Sequence, residues 1–564
     1  MKERQENRNS TALWLSRQVG TAWWEIGALA ALEVALALAS LGQAWLLKDL
    51  VNAAAAGDGN GFRTPALLFV LVILLQLSLQ ALVRYGREHC QATLENRLKD
   101  SLFETLLTRD YARVTAVHSE EWMNRMVSDS VLVANGLTDI LPEVCGMSVR
   151  LIGALWMAFA LMRGVSWLIL PVGVLLAVLA FLFRKKLKEM QKTVRAADGR
   201  LRIFLSERLS GQLLVRSFAQ EEASLELAGA LMAEHLDTRL RRTVFANYCR
   251  IGLGILMRGL YAGAVLYCCA GMLQGTLDYG VFAAVVHLVG QIQAPFANLS
   301  GFLPQYYAML AGADRLMEAE ALPAEDPDRR TEEEIAAFYR EQFRALRFET
   351  VDFTYPEETD GGRPSVLVNV SFTLEKGGIL AVTGPSGCGK STLLKLMMCL
   401  YTPDSGRRVL VTASGECELT GAWRTLFAYV PQGNQMMYGT VREVLSFGDL
   451  SVSEDRLREA LSIACAETFV AELPDGLDTA LGERGAGLSE GQLQRLAIAR
   501  ALVSGRPILL LDEATASLDE ETERRVLENI RSLTDRTTVL VTHRPQGLAV
   551  CTGRLKLGET PDGL

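Results

Sequence analysis

The sequence is short of the residues that build metal and disulfide centres. It has five histidines, and its ten cysteines include no Cys-x-x-Cys pair, which argues against zinc sites and thioredoxin-type chemistry. Cys90, Cys145, Cys249, Cys388, Cys399, Cys417, Cys465 and Cys551 are scattered, and Cys268-Cys269 lie inside an apolar run. They read as free thiols in a reducing compartment. Positive charge is not in excess: a net charge of −8 excludes a generally basic nucleic-acid binder, so no nucleic-acid partner is expected. Proline is missing between Pro65 and Pro142 and again between Pro171 and Pro295. An interior proline costs a helix about 3 kcal/mol, so these gaps permit long unbroken helices. No apolar core precedes Trp23-Trp24, and a cleavable signal peptide is not expected.

What is abundant is apolar residue, 49% of the 564 positions, beside 22% charged. That is too apolar for a large soluble enzyme and too charged for an all-membrane protein. A membrane half joined to a soluble half averages to these values. Six apolar stretches near 24–46, 65–83, 139–161, 166–183, 252–273 and 279–300 each approach the ~20 residues that span a bilayer. The N-terminus, 84–128 and 184–250 carry 25 Lys and Arg residues, against 3 in 48–63, 162–167 and 274–278. The positive-inside rule then places the N-terminus and both long segments in the cytoplasm. Residues 1–316 are thus expected to be an all-α membrane domain of six helices with two long cytoplasmic loops. Stretch 317–345, with Pro323, Pro327 and nine acidic residues, reads as a hydrated linker. From 346 to 564, β-rich runs at 366–372, 379–383, 427–430, 508–511 and 538–542 alternate with helical patterns. The alternation predicts an α/β domain on a largely parallel sheet.

The strongest local signal is Gly384-Pro385-Ser386-Gly387-Cys388-Gly389-Lys390-Ser391-Thr392, between a strand and an apolar helix. A polyphosphate needs many donors at close range. Glycines let the backbone wrap it, the helix start aims N–H groups at it, and Lys390 reaches its outer oxygens. The Ser391 hydroxyl suits Mg²⁺, which takes few protein ligands. The second signal is Ile508-Leu-Leu-Leu511-Asp512-Glu513, a buried strand ending in adjacent carboxylates. Asp512 is the candidate Mg²⁺ ligand, and Glu513 the candidate base for an attacking water.

Between these lies Leu488-Ser489-Glu490-Gly491-Gln492, and here the sequence resembles the ATP-binding-cassette (ABC) family. Further marks follow in the family's order. Tyr355 resembles the aromatic that stacks on adenine, Gln432 the Q-loop glutamine, and Gly482-Glu483-Arg484-Gly485 the segment that precedes the signature in exporters. Ser517-Leu518-Asp519 resembles the D-loop and His543 the switch histidine. Glu207–Gly211 with Val215–Phe218 is similar to an exporter's second coupling helix, and Ser119 to Asp129 to its first intracellular loop. Two departures stand out: Glu490 replaces the usual signature glycine, and the tail beyond His543 is short.

The resemblance implies a multidomain half-transporter of the exporter type: six transmembrane helices followed by an α/β P-loop ABC ATPase domain. Its cofactors would be ATP and Mg²⁺, with Ser391, Gln432 and Asp512 at the metal. Glu513, His543 and Gln432 would be catalytic. A second half-transporter, a homodimer being favoured over a heterodimer, would offer Ser489, Gly491 and Gln492 in trans, with Asp519 in the D-loop. The expected setting is a bacterial cell membrane, with the lipid bilayer as partner and the ATPase domain in the cytoplasm. An importer or ATP-gated channel on the same scaffold, or one half of a heterodimeric exporter, is the alternative. Inside the spans, Glu33, Arg150, Arg258, His287, Gln291 and Asn298 are the polar positions; the last three lie within about 40° on one helix face. Two readings are open for them: a path for an amphipathic or polar solute (small molecule, lipid or peptide), or helix-to-helix glue with a Glu33–Arg150 pair.

Overall fold

The computed structural model describes residue 11 and residues 13–161, 169–325, 330–355, 365–433, 436–449, 451–482 and 487–558, except for the side chains at 169–182, 184, 253, 296–300 and 303. The chain falls into two units, Met1–Phe103 with Trp122–Glu320, and Glu104–Glu121 with Ala321–Leu564.

The first unit is helical. Its long helices are Ala22–Ala55, Gly59–Thr108, Leu141–Leu161, Ile169–Ser210, Glu221–Leu273 and Tyr279–Glu320. Each holds one expected span, although residues 166–168 of the fourth lie outside the described residues. Four helices overrun their spans by far, with 50, 42, 53 and 42 residues. At 1.5 Å per residue the longest measures about 80 Å, far beyond a ~30 Å hydrocarbon core. Ala22–Ala55, Gly59–Thr108, Ser119–Leu161 and Glu221–Leu273 are long and apolar enough to cross a membrane.

Ser119–Leu161 is not a regular helix. It carries π-turns at Arg125–Asp129 and Gly136–Ile140, where it meets Tyr279–Glu320. A Cβ on Gly136 would stand 2.6 Å from the Met309 side chain, so the helices pack backbone to side chain there. At the first π-turn the buried Asp129 carboxylate is clamped by Arg315, at 2.7 Å from Nε and 2.5 Å from Nη2.

The Glu33–Arg150 pair of the glue reading does not form. Glu33 is buried, but its cation is Arg87, 2.9 Å away on the next helix. Arg87 also lies 3.6 Å from Asp139, which accepts a 3.1 Å hydrogen bond from Gln305. The reason is register. Gly146, a full turn before Arg150, is the residue level with Glu33: a Cβ there would be 3.1 Å from the Glu33 carbonyl. The buried Nε of Arg150 has no hydrogen-bond partner among the described residues.

The second unit is α/β. A parallel sheet has the order β11-β3-β10-β9-β6, from β3 (Ile379–Thr383), β6 (Phe427–Val430), β9 (Ile508–Asp512), β10 (Thr537–Val541) and β11 (Gly553–Lys556). Strands β3, β9 and β10 are buried along their whole length, which explains their unbroken apolar runs. Alternation sends Ile508 and Leu510 into one core, with Leu393 and Leu394, and Leu509 and Leu511 into the other, with Leu496 and Val526. An antiparallel sheet ordered β2-β1-β4-β5 is also present, formed by β1 (Phe343–Phe353), β2 (Leu367–Glu375), β4 (Ser405–Thr412) and β5 (Gly415–Glu418), and the short strands β7 (Gly439–Thr440) and β8 (Ala480–Leu481) pair antiparallel.

The acidic stretch 317–345 is not one hydrated linker. Its start completes the helix ending at Glu320, and its end is a second helix, Glu332–Glu341. A capping box between Thr331 and Glu334 starts that second helix. Ile335, Phe338 and Tyr339, spaced i, i+3, i+4, are buried, with Phe338 4.2 Å from Trp423 and Tyr339 5.1 Å from Phe343 by ring centroids. The acidic residues occupy the other face.

The register of the Glu33 site gives a test. Arg87→Ala leaves a buried carboxylate without its cation and should destabilise the protein by about 3 kcal/mol or more. Arg150→Ala should cost much less, and Glu33→Gln should recover part of the Arg87→Ala loss. Melting temperatures of the purified variants decide this, and a larger loss from Arg150→Ala than from Arg87→Ala would contradict the pairing.

Candidate functional site: a phosphate loop and two carboxylates at a sheet edge

Strands β3, β6, β9 and β10 run parallel, so the residues leaving their C-terminal ends gather at one edge of the sheet. After β3 the chain turns through Gly384, Gly387 and Gly389, with φ of +150°, +81° and +95°. Gly389 caps the helix Lys390–Met397, and a Cβ there would stand 2.7 Å from the Leu367 side chain. Only glycine meets both demands. Lys390 Nζ donates to the carbonyls of Gly384 and Pro385, both at 2.9 Å, so the ammonium is held over the loop. Pro385, Ser386 and Gly387 are exposed, Cys388 and Ser391 half-buried, and Thr392 buried.

Tyr355 shares a 2.8 Å hydrogen bond between its hydroxyl and that of Thr392. Its ring meets those of Phe353 and Tyr401 edge-on, at 5.1 and 5.3 Å. Tyr111 completes this aromatic group, edge-on to Tyr401 at 5.8 Å. It arrives on the short helix Tyr111–Ala116 within the segment Glu104–Glu121. That segment is tied down by Asp110 N–H to Pro323 C=O at 2.9 Å and Glu325 N–H to Thr108 C=O at 3.0 Å. The segment Glu104–Glu121 thus belongs to the ATPase unit and shares its last three residues with the stretch Ser119–Asp129.

At the end of β9, Asp512 is buried, and burial pushes its carboxyl above the ordinary carboxylate range. The hydrogen bond from the Tyr429 hydroxyl and the influence of the Ser391 hydroxyl offset part of that rise. Tyr429 Oη lies 3.2 Å from Asp512 Oδ2. Glu513 adopts φ +51°, a left-handed conformation that is strained for any residue but glycine. Its Oε2 accepts a 2.9 Å hydrogen bond from Gln432 Nε2. The edge thus joins Gln432 to Glu513 and Tyr429 to Asp512. His543 is exposed just beyond β10 and makes no hydrogen bond with Glu513 or Gln432 among the described residues. No group of three or more His, Cys, Asp or Glu side chains among the described residues forms a metal cage. A cation at this edge would therefore share its shell with phosphate oxygens and water.

Ser489 caps the helix Glu490–Val503. Its Oγ accepts from Gln492 N–H at 3.3 Å, and Gln492 Oε1 accepts from Ser489 N–H at 2.8 Å. Glu490 is exposed in the first turn, and residues 483–486 before this turn lie outside the described set. A Cβ on Gly491 would be 3.0 Å from the Ser517 carbonyl, so glycine there lets the D-loop approach. Gln494 fixes Ser517 twice, donating to Oγ at 3.2 Å and accepting from its N–H at 2.9 Å. Arg544 donates to the Leu518 carbonyl at 2.9 Å and pairs with the fully buried Glu523 at 2.9 Å. Asp519 caps the helix Glu520–Ser532, and hydrogen bonds from Thr522 hold its carboxyl below the usual range. No hydrogen bond joins the Ser489 turn to the phosphate loop among the described residues.

In the membrane unit, Glu33 and Gln291 of the candidate path residues are buried, and Arg150 and His287 are half-buried. Glu33 pairs with Arg87, and the buried Gln291 donates to the Ser40 carbonyl at 3.0 Å. His287 is half-buried with Nε2 unbonded, Arg258 is exposed, and the Asn298 side chain lies outside the described residues.

A phosphate loop and paired carboxylates on a parallel sheet, with a capped signature helix beside them, define an ATP-binding-cassette ATPase, here continuous with a helical membrane region. Residues 26–296 match the family described as ABC transporter transmembrane region, and 367–516 that described as ABC transporter. The chain belongs to the ABC transporter family, as an exporter-type half-transporter and ATP-hydrolysing translocase. The "ATP-dependent lipid A-core flippase" of Pseudomonas fluorescens is 32% identical over 485 residues, covering 85% of this chain and 78% of its own. "ATP-binding cassette sub-family B member 10, mitochondrial" of Mus musculus is 28% identical over 498 residues, with coverages of 86% and 68%. A solved bacterial Atm1-family ABC exporter with ATP bound has the same fold: TM-score 0.75 at 23% identity, covering 96% of this chain and 94% of its own. Half-transporters of this family pair with a second half and bind a substrate, and the protein is an integral membrane protein.

Two measurements probe the edge. Glu513→Gln should keep ATP bound and lower turnover by at least ~10²-fold, the usual scale of general-base removal. Near-normal phosphate release would take Glu513 out of that role. Alkylation of Cys388 should block hydrolysis and be slowed by Mg-ATP, with Cys388→Ala active and resistant. Undiminished sensitivity of Cys388→Ala would place the reactive thiol elsewhere.

Proposed function

We propose that this exporter moves an amphipathic or polar solute by alternating access as a dimer, each ATP lying between one subunit's phosphate loop and the other's Ser489 turn. The observation that carries the reading is the separation of two half-sites within one chain. The loop around Lys390 and the capped turn at Ser489 each head a helix, and their hydrogen bonds lead to different neighbours. Helix starts favour anions, so two of them from two subunits suit one terminal phosphate. Mg²⁺ would be held by Ser391 and Asp512, beside Gln432; a hydroxyl against a buried carboxylate is a hard-oxygen set that fits it. Glu513, oriented by Gln432, would take the proton of the attacking water, with His543 closing on the phosphate once ATP is bound.

The arginine and lysine asymmetry supports a cytoplasmic ATPase domain. Coupling would run through the short helices Tyr111–Ala116 and Gln212–Ser217, each lying between two long helices. Tyr111, packed on Tyr401 beside Tyr355, supports the first route. The relatives include both a lipid A-core flippase and leukotoxin translocation proteins, so lipid-like and peptide solutes both suit the reading. Glu490 favours a second reading in one respect: a carboxylate in the signature suits a heterodimer whose two ATP sites differ.

Mixed dimers test the trans arrangement. Lys390→Ala and Ser489→Arg should each abolish turnover when both copies carry them. A dimer of one Lys390→Ala and one Ser489→Arg chain keeps one complete site in trans and none in cis. Isolated by two different tags, it should recover a substantial part of parental ATPase. A mixed dimer as inactive as either parent variant would remove Ser489 from the trans role.

A further inference from the structure

Tyr429 carries no role in the reading above, yet its hydroxyl touches the edge where hydrolysis is placed. It lies on β6, paired with Leu510 of β9. Strand alternation puts Asp512, two residues beyond Leu510, on the same face, so the phenol reaches diagonally across to Asp512 Oδ2 at 3.2 Å. The ring is held by the core cluster that also contains Leu393, Leu394 and Phe427. Its neighbours Ala428 and Val430 face the opposite core. The hydroxyl is therefore aimed by the strand and not by a mobile loop.

Three residues further on, Gln432 donates to Glu513 at 2.9 Å. The end of β6 thus supplies two rungs to two adjacent carboxylates, Tyr429 to Asp512 and Gln432 to Glu513. The Ser391 hydroxyl also acts on the Asp512 carboxyl, drawing it down against the effect of burial. With Oδ2 engaged by the phenol, the carboxylate cannot rotate freely about its last bond, and its face toward Ser391 is fixed.

We propose that Tyr429 is a positioning residue for the magnesium site. Its phenol donates to Asp512 and presets the carboxylate that receives Mg²⁺ beside Ser391. The inference rests on the Mg²⁺ reading of Ser391 and Asp512. Tyr429 itself touches neither nucleotide nor metal, and its effect is on metal affinity. Partners that orient a metal ligand from behind typically change metal affinity by about 10–100-fold when removed.

The test uses the full-length protein in nanodiscs with a non-hydrolysable ATP analogue, and Mn²⁺ as the probe. Free Mn²⁺ is counted by electron paramagnetic resonance. Tyr429→Phe, which keeps the ring and loses only the oxygen, should weaken Mn²⁺ binding by at least about tenfold. Analogue binding in the presence of EDTA should stay at the parental level, and the melting temperature should hold. In an Asp512→Asn background, Tyr429→Phe should change Mn²⁺ affinity no further, because the phenol acts through that carboxylate. Excess Mg²⁺ should restore ATPase in the single variant, which a mispacked core would not allow. Parental Mn²⁺ affinity in Tyr429→Phe overturns the proposal and leaves the magnesium site standing. Parent protein that takes up no nucleotide-dependent Mn²⁺ overturns both.

Discussion

Two carboxylates at the end of one buried strand must stay apart and correctly turned where a polyphosphate has to approach. Asp512 and Glu513 are consecutive, so they share one strand end and would repel one another and the incoming nucleotide. The fold answers with backbone geometry first. Strand β9 delivers Asp512 into the core side, and the left-handed turn at Glu513 swings the second carboxylate out toward Gln432. Hydroxyls from Ser391 and Tyr429 then offset the burial of the first. The parallel sheet is what makes this affordable, because β6 and β10 end level with β9 on either side.

The membrane unit meets the same problem with a different answer. Its acidic residues at Glu33, Asp129 and Asp139 sit between helices, and each is met by an arginine from a neighbouring helix: Arg87 for Glu33 and Asp139, Arg315 for Asp129. These are cross-helix bonds at positions where glycines or π-turns bring the helices close. They give helices of mostly interchangeable apolar surface a defined register.

Much of this was legible in the chain. The runs 379–383 and 427–430 are strands with the expected limits, that at 508 is one residue longer, and that at 538 shifts by one residue. Fully buried parallel strands announce themselves because nothing polar interrupts them. The antiparallel sheet was less visible: β4 carries Arg407-Arg408, and Arg408 is buried because its guanidinium satisfies the carbonyls of Leu396 and Tyr401. A buried arginine looks like surface until its partners are known. The Glu33–Arg87 pair was hidden for a related reason, since apolar helices fix which residues are in the membrane but not which face meets which. Tyr429 was within reach of the sequence through strand alternation alone, but only once Asp512 was assigned to the same face.

The helix Glu332–Glu341 decides where the chain can be divided. Its apolar stripe closes the end of the ATPase core over Trp423 and Phe343, and the Tyr339 hydroxyl lies 2.6 Å from that of Thr537 at the start of β10. A soluble fragment begun at residue 346, where the β-rich pattern starts, would lose that cover and the first three residues of β1, and would expose Phe343's former neighbours to water. One begun ahead of Thr331 would keep the capping box that starts the helix. The ATPase of this transporter is therefore larger at its N-terminal side than its nucleotide motifs suggest, and the acidic face that disguises the extra helix is what keeps it soluble once released.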